Sequence, residues 1–158
     1  MKIHFVCTGN VFRSRLAEAY LLSKKIPAVI VSSSGIEAED DCNGRVCWYT
    51  RELLKKRGLE EFLTSSWHQS QRKELENQDL VIFLKKEHQE YCLNVLGAKV
   101  KEYEVWEIED IPDEVYFSGD KTRTLESAEA VFKKILKRVD ELAFRIGSQE
   151  LTGKRDSY

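Results

Sequence analysis

Short, almost wholly apolar runs alternate along this chain with segments of helical period, and that alternation leaves few folds open. "KIHFV" at residues 2–6, "AVIVSSSG" at 28–35 and "DLVIFL" at 79–84 are short and rich in β-branched or aromatic residues, as strands buried on both faces of a sheet are. "KVKEYEVW" at 99–106 alternates and reads as a fourth strand near a sheet edge. Between the first two runs, "SRLAEAYLLSKK" at 14–25 has helical spacing with Ser14 as a cap. "GRVCWYTRELLKKRG" at 44–58 places Val46, Tyr49, Leu53 and Leu54 on one helical face. A short helix at 70–77, a helical stretch at 86–96 and a long helix at 124–146 capped by Thr124 complete the set. The expectation is an α/β fold, a four-stranded parallel sheet with helices on both faces in a Rossmann-like three-layer arrangement. One domain over residues 1–146 is expected to be followed by a frayed polar tail, 147–158.

Composition narrows the partners. With 25 basic and 27 acidic side chains and a net charge of -2, no global field draws the chain to nucleic acid or to an anionic membrane. The longest apolar stretch falls far short of the roughly 20 residues needed to cross a bilayer, and no leader-like segment opens the sequence. A cytoplasmic protein is expected, with no nucleic-acid or membrane partner. Four cysteines, Cys7, Cys42, Cys47 and Cys92, have no framework spacing and suit a reducing compartment. Cys42 and Cys47 with His68 or His88 form no tight pair of ligand doublets, so neither metal nor cofactor is expected.

The chemistry concentrates in "VCTGNVFRS" at residues 6–14. Cys7 ends the first strand, where parallel sheets carry their ligands, and Thr8, Gly9 and Asn10 separate it from a helix. Successive N–H groups of Thr8, Gly9, Asn10, Val11, Phe12 and Arg13 can there curl into an anion nest with the helix N-terminus behind it. Arg13 would grip two oxygens of a phosphate through its planar fork. The same donors favour a thiolate on Cys7, and Ser14 can donate to it.

These residues resemble the signature loop of the low-molecular-weight protein tyrosine phosphatase family. The likeness extends over residues 2 to about 146 and includes "SSSG" after the second strand and "WHQSQRKELENQDLVIFL". It implies the phosphotyrosine protein phosphatase I-like fold and a metal-free phosphomonoester hydrolase acting on protein phosphotyrosine or small aryl phosphates. Phosphate, sulfate or vanadate would occupy its site. By resemblance, Cys7 attacks phosphorus and forms a cysteinyl-phosphate. An aspartate of "EDIPDEV" protonates the leaving group; aligning "IPD" favours Asp113, with Asp110 the alternative. Asn10, Ser34 and His68 match positions that brace the loop, and Tyr116 and Phe117 match the aromatic wall of the cleft.

Departures from the family pattern set the remaining questions. Phe12 replaces a second cysteine, which removes a neighbour able to trap oxidised Cys7 as a disulfide. Arg15 replaces a proline and would either add charge near the cleft or face solvent, and Glu114 follows Asp113 where proline is expected. Val11 stands where phosphoarginine-specific relatives carry threonine, which favours phosphotyrosine over phosphoarginine. The acidic "EAEDD" at 37–41 lacks the usual aromatic and would favour basic peptides. Two further readings are an arsenate reductase, for which Cys92 lacks a partner cysteine, and a phosphate-binding regulatory protein that has lost turnover.

Overall fold

A computed structural model of the chain describes residues 1–40 and 44–153, the backbone alone at 40 and 150–153. Strands β1 (Lys2–Cys7), β2 (Ile30–Gly35), β3 (Leu80–Phe83) and β4 (Tyr103–Val105) form one sheet in the order β2-β1-β3-β4. Every pairing is parallel, with Cys7 opposite Gly35 and Phe5 opposite Ile82. Because β1 is central and its neighbours lie on opposite sides, the chain reverses its winding direction there. The crevice beyond the carboxyl end of β1 is therefore the natural ligand site.

Residue parity along β1 decides which layer each side chain meets. Ile3, Phe5 and Cys7 join Ile82 in a core with helices α1 (Arg13–Ser23), α2 (Trp48–Lys56) and α6 (Lys121–Gly153). Val6, Val81 and Phe83 pack on the other face with Leu75 of α3 (Arg72–Glu76) and with Cys92, which follows α4 (Lys86–Glu90). Both faces are covered, which is why β3 reads as an unbroken apolar run and β1 as one interrupted only by His4. His4 shares the second face, fully buried, with its ring nitrogens 2.6 and 2.7 Å from the hydroxyls of Ser32 and Ser34.

Element boundaries depart from expectation in three places. Ser14 does not cap α1, which begins at Arg13; its hydroxyl turns to Cys7 and Asn10 instead. The last helix starts at Lys121, capped by Asp120 through the Arg123 amide (3.1 Å), and Thr124 lies inside it. That helix continues past Ile146 to Gly153, through residues expected to fray. A single turn, α5 (Asp113–Tyr116), precedes it. Among the described residues no helix is long and apolar enough to cross a membrane.

Candidate active site

Between β1 and α1 the backbone folds around a cavity of about 230 Å³ lined by Cys7, Thr8, Gly9, Val11, Phe12 and Arg13. Hydrogen bonds on the outside of this loop explain its shape. The Cys7 and Thr8 carbonyls accept from the Ile36 and Glu37 amides at 3.0 and 2.9 Å. The Asn10 carbonyl accepts from Arg15 at 3.1 Å. That of Val11 accepts from the Cys47 amide and the Thr50 hydroxyl, and that of Phe12 from Leu16. In a trans peptide the N–H of the next residue points opposite to the carbonyl. Five carbonyls held outward thus turn the amides of Thr8, Gly9, Val11, Phe12 and Arg13 inward, a set of donors spaced for an oxyanion.

Asn10 makes the tight curl possible. Its φ is 54°, in the left-handed region that asparagine tolerates better than most residues. Its side chain is locked, donating to the Ser14 and Ser33 hydroxyls at 2.8 and 2.9 Å and accepting from the His68 amide at 2.8 Å. Gly35 leaves room behind it: a β-carbon there would lie 2.5 Å from the Thr8 carbonyl and 2.7 Å from the Asn10 amide. Ser33 in turn donates to Glu18 at 2.5 Å.

The chemical groups converge on this cradle. The Cys7 sulfur lies 2.9 Å from the Ser14 hydroxyl. Arg13, almost fully buried, donates from Nη1 to the Ile108 carbonyl at 3.0 Å, and its Nη2 pairs with Asp110 at 3.1 Å and reaches the Thr8 hydroxyl at 3.3 Å. Asp110, half-exposed, also accepts from the Ile111 amide at 2.7 Å. Asp113 is exposed in the first turn of α5 and lines the same cavity. Tyr49, Tyr116 and Phe117 complete the wall; Phe12 and Tyr116 each meet a neighbouring ring edge-on at 4.9 Å, Tyr49 and Phe117 respectively.

Under the cradle, His88 supports Thr8. Its Nδ1 accepts from the Lys85 amide at 3.0 Å, so the neutral ring carries its proton on Nε2 and donates to the Thr8 hydroxyl at 2.9 Å. Burial and the nearby Arg13 cation pull His88 down to about 3, and burial does the same to His4. Above about pH 6.5 both rings are neutral folded or unfolded. Below it only the unfolded chain takes up protons, so stability falls until the folded rings protonate near 3. The limiting loss is about 1.4 kcal/mol per pH unit for each ring. Urea unfolding at pH 7 and pH 5 should show this fall, and His4→Gln should remove a large part of it.

Each of these features bears on a family assignment, and the sequence supplies one: residues 2–154 match the family described as low molecular weight phosphotyrosine protein phosphatase. The chain belongs to this family. It is 33% identical over 124 residues to a protein-arginine-phosphatase of Geobacillus stearothermophilus, spanning 78% of this chain and 68% of the relative. The solved YwlE arginine phosphatase from Geobacillus stearothermophilus superposes with a TM-score of 0.75 at 23% identity, covering 96% of each chain. The tyrosine phosphatase amsI of Erwinia amylovora gives 0.71 at 19% identity over 91% of each chain. Vibrio vulnificus Wzb in complex with benzylphosphonate gives 0.66 at 22% identity, over 89% of this chain and 97% of the other. These structures share the fold.

Within this phosphatase several sequence-predicted residues occupy places that sequence did not foresee. Ser33, rather than Ser34, contacts Asn10; Ser34 faces the other layer, bonded to His4 and Ser70. His68 reaches the loop through its backbone amide, while its residue is exposed. Arg15 neither faces solvent nor lines the cleft: it is buried under the loop. Cys92 lies buried behind the sheet, its thiol pushed up to about 12 by burial, which does not suit it to a disulfide relay. Cys47 is buried and lines the cavity; Cys42 lies outside the described residues. Among those residues no group of three His, Cys, Asp or Glu side chains is arranged for a metal ion.

Proposed function

We propose that this phosphatase hydrolyses protein phosphotyrosine through a cysteinyl-phosphate on Cys7. The observation that carries the reading is a single cavity that joins an inward-facing amide cradle to a wall of Val11, Phe12, Tyr49, Tyr116 and Phe117. Such a wall offers a phenyl ring contact on its faces and no hydrogen-bond acceptor from Val11. Cys7 attacks phosphorus in line, helped by the Ser14 hydroxyl at 2.9 Å. Arg13 and the amides gather charge on the equatorial oxygens as the P–O bond breaks. Asp113 gives its proton to the departing phenolate oxygen. The same carboxylate then takes a proton from water as that water displaces Cys7, releasing inorganic phosphate and restoring the thiolate. Because the nucleophile must be a reduced thiol, we place the enzyme in a reducing compartment such as the cytoplasm.

A second reading, hydrolysis of protein phosphoarginine, is favoured by the two carboxylates at the cavity, Asp110 and Asp113, which suit a guanidinium. It also has the name of the 33% identical relative behind it. Phosphotyrosine and phosphoarginine peptides of one sequence, compared by kcat/KM, separate the two. We expect phosphotyrosine to lead by about 100-fold or more, and Val11→Thr, which adds a hydroxyl at the wall, to narrow the gap about tenfold. A lead for phosphoarginine in the unmodified enzyme establishes the second reading.

A further inference from the structure

Arg15 is among the most deeply buried side chains of the molecule, at 1% exposure, yet it carries a guanidinium. Its Nη1 donates to two backbone carbonyls, Asn10 in the cradle and Arg45 ahead of α2, both at 3.1 Å. Its Nη2 donates to the Thr64 carbonyl. Three segments distant in sequence are thus fastened to one planar cation. The Arg45 segment leads into Cys47 and Tyr49, which form part of the cavity wall.

Charge burial is costly and is tolerated here by a matched environment. Glu18, one turn along α1 and also buried, accepts from the Ser33 hydroxyl at 2.5 Å and from the Thr64 hydroxyl at 3.4 Å. Burial lowers the proton affinity of Arg15 and raises that of Glu18, and each partly restores the charge of the other; Cys7 also favours the cation. Asn10 is therefore held at both ends. Arg15 takes its carbonyl, and Glu18 holds its side chain through Ser33.

We infer that Arg15 is a positioning residue of the phosphate cradle: by drawing the Asn10 carbonyl outward it aims the Val11 amide at the phosphoryl oxygens and ties the cleft wall to the nucleophile loop. This rests on the reading of residues 7–14 as a phosphate cradle. Without the guanidinium the Asn10 carbonyl loses its donor, the Asn10–Val11 peptide is free to rotate, and one inward donor is lost. The consequence is weaker anion binding and slower chemistry, with α1 itself retained, since methionine and lysine favour a helix about as well as arginine does.

The test uses the full chain with Arg15→Met, which keeps the stem, and Arg15→Lys, which keeps the charge. For each, kcat and KM on p-nitrophenyl phosphate, Ki for inorganic phosphate, the rate of Cys7 alkylation by iodoacetamide at pH 6, and thermal melting are measured. Arg15→Met should lower kcat about 100-fold and raise the phosphate Ki about tenfold or more. Arg15→Lys should preserve the alkylation rate within about threefold, because charge remains, yet lower kcat about tenfold, because one ammonium cannot fork across three carbonyls. A folded Arg15→Met with kcat and phosphate Ki within twofold of the unmodified enzyme overturns the inference. If Arg15→Met does not fold, Arg15→Lys decides: unmodified kcat and Ki in that variant overturn it equally. Failure of the cradle reading looks different: the unmodified protein would show no protection of Cys7 from alkylation by phosphate, and the role of Arg15 falls with it.

Discussion

Cys7→Ser should abolish turnover of p-nitrophenyl phosphate, by a factor of at least about 10⁴, while leaving inorganic phosphate and vanadate bound. The expectation follows from what the cradle does and does not supply. Its inward amides and Arg13 would hold an anion whether or not the residue at position 7 can attack, because the amides are oriented by carbonyl contacts outside the loop. Serine keeps the size of the side chain but stays a neutral alcohol near pH 7, and the Ser14 hydroxyl has no thiolate to stabilise. Steady-state kinetics and isothermal titration with phosphate on the same preparation read both halves. Residual turnover within about tenfold would move the nucleophile away from Cys7. An unmodified protein that binds phosphate tightly but turns over no aryl phosphate between pH 5 and 8 would instead be a phosphate-binding regulator, the reading motivated by Phe12, Arg15 and Glu114.

How much of this was legible in the sequence depends on whether a residue's role is local. The strands could be read because both faces of β1 and β3 are covered, which leaves His4 as the one polar side chain inside the two apolar runs. The cradle could be read because the turn residues and the thiol are contiguous. Arg15 could not, since its three acceptors come from Asn10, Arg45 and Thr64, and only the folded chain brings them together. Ser33 was missed in favour of Ser34 because the choice depends on register: Ser33 pairs with Phe5 and shares its face, while Ser34 pairs with Val6 and points to the opposite layer. Ser14 misled for a related reason. A serine before an apolar helix normally caps it, but here the thiol and Asn10 compete for the same hydroxyl and win.

The two aspartates of the loop before α6 should separate by leaving group. Asp110 is committed in the structure: one oxygen pairs with Arg13 at 3.1 Å and the other accepts the Ile111 amide at 2.7 Å. A general acid must face the leaving oxygen, and both oxygens of Asp110 are already turned to other partners. Its removal should free Arg13 to wander and so weaken binding. Asp113 lines the cavity from the exposed first turn of α5, the helix that also carries Tyr116. We therefore expect Asp113→Asn to lower kcat/KM for alkyl and phenyl phosphates by a factor of about 100 to 10,000 and that for p-nitrophenyl phosphate much less, since nitrophenolate departs without a proton. Asp110→Asn should raise the Ki for inorganic phosphate and slow all leaving groups alike. A plot of log kcat/KM against leaving-group pKa gives the comparison directly: the slope should steepen in Asp113→Asn and stay unchanged in Asp110→Asn. The reverse pattern would make Asp110 the acid and leave Asp113 a carboxylate at the rim, where a basic peptide meets it.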